Sequence, residues 1–67
     1  MMKATINGEI RELPDGMTME RLLAHIEAPE RGIAVAKNDR VVRRAAFAQE
    51  IVEDGDRVEI IRAVAGG

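Results

Sequence analysis

Asn7-Gly8 stands between two stretches that alternate apolar with polar residues, and this leaves the first thirteen residues little choice of fold. Met2, Ala4 and Ile6 alternate with Lys3, Thr5 and Asn7, the period-two pattern of a half-buried strand. A two-residue turn between antiparallel strands needs positive φ at both central positions, which Asn and Gly tolerate better than other residues. The chain is therefore expected to return as a second strand over Glu9 to Leu13, with Ile10 facing inward. Leu13 breaks the alternation, so a bulge or a strand end is expected there. Pro14-Asp15-Gly16 closes the hairpin with residues suited to a tight turn.

Beyond the hairpin the period changes. Met19, Leu22, Leu23 and Ile26 recur at helical spacing and form one apolar stripe. Thr18 is placed to cap that helix, its hydroxyl accepting a free backbone N–H of the first turn. Glu20 suits the positive end of the helix dipole, His25 falls on the outer flank, and Pro29 and Gly32 are the expected stop and turn. Strands follow at Ile33 to Lys37 and, after an Asn38-Asp39 turn, at Val41-Val42, where the neighbouring arginines discourage edge pairing. Ala45 to Gln49 reads as a single helical turn anchored by Phe47 and Ile51. Asp54-Gly55-Asp56 is a tight turn into a last strand, Arg57 to Arg62, whose Val58 and Ile60 face the core while Arg57, Glu59 and Ile61 face away. The expected class is α+β: a small mixed sheet of four to five strands packed on one helix, a single domain over residues 1–62.

Composition narrows the chemistry. The 67 residues are 46% hydrophobic, but ten of them are alanine. A chain this short buries only about 60% of its unfolded surface, so an enclosed pocket would consume its core. There is no Cys, Ser, Tyr or Trp, with one His, two Lys and two Thr. Nucleophilic catalysis and a zinc site are both poorly supplied by that inventory. Ten bases against twelve acids, with one aromatic, give neither the basic patch nor the stacking platform of a nucleic-acid binder. No apolar stretch approaches a membrane span and no segment reads as a signal peptide. A soluble cytoplasmic protein is expected, not itself an enzyme, with no bound metal or cofactor and no nucleic-acid or membrane partner.

The sequence ends Ala63-Val64-Ala65-Gly66-Gly67, read as a flexible tail over residues 63–67. With so few reactive side chains, the α-carboxylate of Gly67 is the candidate reactive group. A carboxylate of ordinary pKa is ionised and unreactive toward nucleophiles at neutral pH, so it must be activated, most simply as an acyl adenylate in another protein's ATP site. Gly66 and Gly67 lack Cβ and can enter a narrow channel. Val64 can dock on the channel wall, with Ala65 between. Ile61, expected on the sheet face away from the helix, is a candidate partner contact.

Asn7-Gly8, Thr18-Met19-Glu20-Arg21-Leu22-Leu23, Phe47, Glu53-Asp54-Gly55-Asp56-Arg57-Val58 and Val64-Ala65-Gly66-Gly67 together resemble the ubiquitin-like β-grasp sulfur carriers, the ThiS-like carriers of thiazole biosynthesis above all. The resemblance covers Met2 to Gly67. It implies a β-grasp sheet with the first and last strands adjacent and parallel. It also implies that Gly67 is adenylated at the expense of ATP, becomes a thiocarboxylate and gives its sulfur to the thiazole ring of thiamin. The implied partners are an E1-like adenylating enzyme, a cysteine-derived persulfide donor and thiazole synthase. The small subunit of molybdopterin synthase, carriers for tRNA thiolation or cysteine synthesis, a ubiquitin-like tag and a β-grasp interaction module remain alternatives at this level.

Overall fold

The computed structural model describes residues 1–29 and 31–62. Its elements are β1 (Met2–Ile6), β2 (Glu9–Leu13), α1 (Met19–His25), β3 (Ile33–Lys37), β4 (Arg40–Val42), a 3₁₀ turn (Arg44–Ala46) and β5 (Arg57–Arg62). The five strands form one mixed sheet in the order β2-β1-β5-β3-β4. β1 and β5 are parallel, and the other neighbours are antiparallel. This is the β-grasp arrangement that the resemblance implied. The expected tail, residues 63–67 with Val64, Ala65, Gly66 and Gly67, lies outside the described residues.

Local chemistry accounts for most of the elements. Asn7 and Gly8 take φ of 50° and 84°, and Asn38 and Asp39 take 51° and 69°, so both hairpins close through two left-handed residues. The Arg21 N–H donates to Thr18 Oγ1 at 3.2 Å, the expected cap. α1 covers one face of the sheet. Its Met19, Leu22 and Leu23 pack on Met2, Ala4, Ile6, Leu13, Val35, Val42 and Val58, with Met17 and Val52 completing the core. Each Val, Leu, Ile or Met side chain so buried contributes about 1.5–3 kcal/mol relative to exposure.

Three details differ from the sequence reading. Ile10 does not face inward: it is 74% exposed, and Leu13 is the buried residue of β2. The hairpin pairs Ile6 with Glu9, Ala4 with Arg11 and Met2 with Leu13, so Ile10 lies opposite Thr5 on the other face. Leu13 ends the strand without a bulge. α1 stops before Pro29, because Glu27 adopts φ +57° and the Ala28 and Glu27 N–H groups close back on the Leu23 and Ala24 carbonyls. The short helical turn begins at Arg44, one residue early, and its second anchor is the buried Val52; Ile51 is 44% exposed.

The start of β5 is pinned by a polar cluster. The buried Asp56 carboxylate accepts the Glu53 N–H at 2.7 Å and the Asn38 side-chain amide at 3.0 Å, with Lys37 Nζ at 3.7 Å. Burial by itself would raise this carboxyl, but those donors outweigh it and hold the group below the ordinary aspartate range. Lys37 pairs with Glu50 at 2.6 Å and donates to the Ile51 carbonyl at 2.9 Å. Its ammonium is shifted upward, mainly by the Glu50 hydrogen bond, against the opposing effect of burial.

Candidate functional site

The sheet face opposite α1 has no element packed on it among the described residues. Side chains directly opposite in a sheet share a face, so the register identifies what this face carries. Ile61 lies beside Ala34 on β3, Glu59 beside Ala36, and Ala36 beside Val41 on the edge strand β4. Ile61 is 59% exposed and Val41 79% exposed. Together with Ala34 and Ala36 they make an apolar strip running from the end of β5 to the edge of the sheet. Across the face Ile10 lies beside Thr5, and Thr5 beside Arg57. Arg57 pairs with Asp39 at 2.5 Å and approaches Glu59 at 4.0 Å, so charged groups separate Ile10 from the strip. The Asp39 hydrogen bond raises the guanidinium pKa further, keeping it charged.

Ile61 is thus where its alternation with Val58 and Ile60 places it: exposed, away from α1, two residues before the segment 63–67. The strip extends the expected site by Val41, which the sequence reading assigned only to an edge strand. The parity was available in the Asn38-Asp39 turn, because a two-residue connection pairs Lys37 with Arg40 and Ala36 with Val41.

The strand that precedes residues 63–67 is held at both edges. On one side β3 pairs along its whole length, from Lys37 opposite Val58 to Ile33 opposite Arg62. On the other, β1 pairs only with Arg57 and Val58. The Asn7 side chain then takes over, accepting the Ile60 N–H at 2.7 Å and donating to the Ile60 carbonyl at 3.3 Å. β5 is thus held on its β3 side as far as Arg62, the last described residue of this segment, and on its other side as far as Ile60.

Elsewhere the described residues offer little reactive chemistry. A groove of 540 Å³ beside α1 is lined by Glu20, Leu23, Ala24, Glu27, Ala28, Pro29, Arg44 and Phe47. Its lining has no hydroxyl, thiol, imidazole or amine, and its carboxylates, Glu20 and Glu27, have none of these groups beside them to form a nucleophile–base pair. Among the described residues no group of three His, Cys, Asp or Glu could hold a metal ion. No described helix is long and apolar enough to cross a membrane.

Comparison with known proteins gives this geometry a family. The sequence profile of the ThiS family matches residues 4–67. The sulfur carrier protein ThiS of Escherichia coli is 33% identical over 66 residues, covering 98% of this chain and all of that protein. A thiazole synthase of Paramagnetospirillum magneticum is 41% identical over 66 residues, but the chain spans only 20% of its length. The crystal structure of the thiamine biosynthesis protein ThiS from Geobacter metallireducens superposes with a TM-score of 0.87 at 29% identity, covering 98% of this chain and all of that one. A chain with this sheet order, an open face beside the end of β5 and a profile match that runs through the final glycine pair belongs to the ThiS family.

Proposed function

We propose that this chain is a sulfur carrier protein of thiamin biosynthesis, a protein substrate rather than a catalyst, and that Gly67 bears the sulfur. What supports the reading most is the match to the ThiS family through Gly66-Gly67, on a chain whose side chains supply so little nucleophilic chemistry. In the proposed sequence the Gly67 carboxylate attacks the α-phosphorus of ATP in an E1-like partner, and pyrophosphate leaves. The outer sulfur of a cysteine persulfide then displaces AMP from the acyl adenylate to give an acyl disulfide. A second thiol cleaves its S–S bond, leaving the Gly67 thiocarboxylate and a disulfide between that thiol and the donor cysteine. The resulting thiocarboxylate gives its sulfur to thiazole synthase, the activity named for the two longer relatives with which this chain aligns over a fifth of their length. ATP is the partner's substrate. The cytoplasm is the proposed compartment.

In this scheme residues 1–62 are the recognition domain and residues 63–67 the tail. Val64 and Ala65 line the partner's channel, Gly66 passes its narrowest point, and Ile61 with its apolar strip docks on the partner's surface. An exposed aliphatic strip at the root of the tail would anchor the carrier while the terminus reaches the ATP site.

Intact mass spectrometry tests the reading. After incubation with the adenylating enzyme, ATP and a persulfide donor, the chain should gain the mass difference between sulfur and oxygen, confined to a C-terminal fragment containing Gly67. Deleting Gly67 should abolish the gain and leave the thermal midpoint in place. A deletion variant that still acquires sulfur would reject Gly67 as the bearing residue.

A further inference from the structure

We propose that Asn7 is a positioning residue for the sulfur-bearing terminus, an inference that rests on the carrier reading above. The last backbone bond from β1 to β5 is made by Asn7 itself, its N–H donating to the Val58 carbonyl at 2.9 Å. With φ at +50° the main chain then turns away into β2. The next step along β5, Ile60, would face that edge with both its backbone groups open. The Asn7 amide fills this step, taking the Ile60 N–H at 2.7 Å on Oδ1 and returning Nδ2 to the Ile60 carbonyl at 3.3 Å. A side-chain amide carries the same donor and acceptor pair as a peptide group, so one residue stands in for the missing continuation of β1.

The turn does not demand this side chain. Glycine adopts positive φ more readily than asparagine, and Gly-Gly also closes hairpins of this type. Asn38 supplies an internal comparison. It has nearly the same φ, +51°, and also grips β5, accepting the Arg57 N–H at 2.9 Å and donating to Asp56 at 3.0 Å. Its grip is at the start of the strand, whereas Asn7 holds the end from which residues 63–67 depart. Without the Asn7 amide, Ile60 to Arg62 keep only their β3 edge. The origin of the tail then samples more directions, and delivery of the terminal carboxylate to an ATP site loses orientation.

The test uses the full chain with its adenylating enzyme and ATP, following pyrophosphate exchange against carrier concentration at a temperature well below every midpoint. Asn7→Gly should keep the fold by circular dichroism and speed hydrogen exchange at the Ile60 amide. It should lower kcat/KM about fivefold, the equivalent of one ordinary hydrogen bond. Asn7→Asp, which retains an acceptor for the Ile60 N–H, should recover part of that loss. Asn38→Gly should lower the thermal midpoint at least as much while kcat/KM stays near the parent value. Asn7→Gly exchanging pyrophosphate like the parent, Asn7→Asp performing no better than Asn7→Gly, or Asn38→Gly losing as much, would each overturn the proposal. A parent chain that supports no exchange at all would overturn the carrier reading, and this inference with it.

Discussion

The covered and open faces of the sheet are built from similar aliphatic residues that meet opposite environments. Under α1, Met2, Ala4, Ile6, Val35 and Val58 are buried and hold the domain together. On the far side Ile61, Val41 and Ile10 stand in solvent, and they account for three of the five large hydrophobic residues exposed among the described residues. Strands favour β-branched residues on either face, so chemistry of this kind does not by itself say which face is a core. Exposed single aliphatics are common on any surface; a connected strip that ends beside the last residues of β5 is less so. The covered face should therefore govern stability and the open face recognition.

The sharpest way to break this contrast is to cut into the covered face. Leu22→Ala removes a fully buried side chain from the centre of α1 and should cost about 3 kcal/mol in urea unfolding. Small domains hold roughly 5–15 kcal/mol in total, so this loss takes a large share. A loss below 1 kcal/mol would mean the core rests elsewhere.

The polar pin at the start of β5 comes next. Asp56→Ala leaves the Glu53 N–H, the Asn38 amide and Lys37 without their shared acceptor, and should cost about 2 kcal/mol. Acid should imitate it. Because the folded carboxyl is held below its ordinary value, the unfolded chain takes up the proton first as pH falls. The contribution is whole above about pH 3.9 and fades below it. Urea midpoints measured from pH 6 to pH 2 (a range set about the ordinary carboxyl values) should show this slope in the parent and a shallower one in Asp56→Ala. The Lys37 shift has the opposite sign, so its contribution is complete below about pH 10.4 and is lost as pH rises through the higher folded value.

On the open face the expected stability effect is smallest and the binding effect carries the contrast. Ile61→Asp should stay within about 0.5 kcal/mol of the parent in unfolding. It should weaken binding to the adenylating enzyme about tenfold, equivalent to roughly 1.4 kcal/mol. Calorimetric titration checks the second and urea unfolding the first. Unchanged affinity with the fold intact would remove the open face from the docking surface, and a large stability loss would erase the distinction between the faces.

Much of this architecture was legible along the chain. The turns at Asn7-Gly8 and Asn38-Asp39, the Thr18 cap and the alternation of Val58, Ile60 and Ile61 all depend on groups a few residues apart. The misplacement of Ile10 has a specific cause. Glu9 and Arg11 share the covered side of the sheet with Ala4 and Ile6, yet both are exposed. An apolar–polar pattern read alone therefore turns β2 the wrong way. Turn arithmetic would have corrected it, since two turn residues pair Ile6 with Glu9. The stop at Glu27 was hidden for a related reason: a left-handed residue there is usually Gly or Asn, and Pro29 was the more visible signal.

By itself the sequence determined which segments become strands or helix and which side chains alternate along them. Those properties follow from backbone preferences and side-chain period, which act over a turn or two. The tertiary structure decided that β1 and β5 lie side by side in parallel, which brings Asn7 to Ile60 across 53 positions of sequence. It also decided how much of the sheet is covered. A seven-residue helix is about 10 Å long, while five strands at about 4.8 Å spacing span nearly twice that. α1 therefore closes the covered face only with the help of Met17 and Val52 from outside the helix. With no element among the described residues packed on the other face, Ile61 and Val41 stay in solvent.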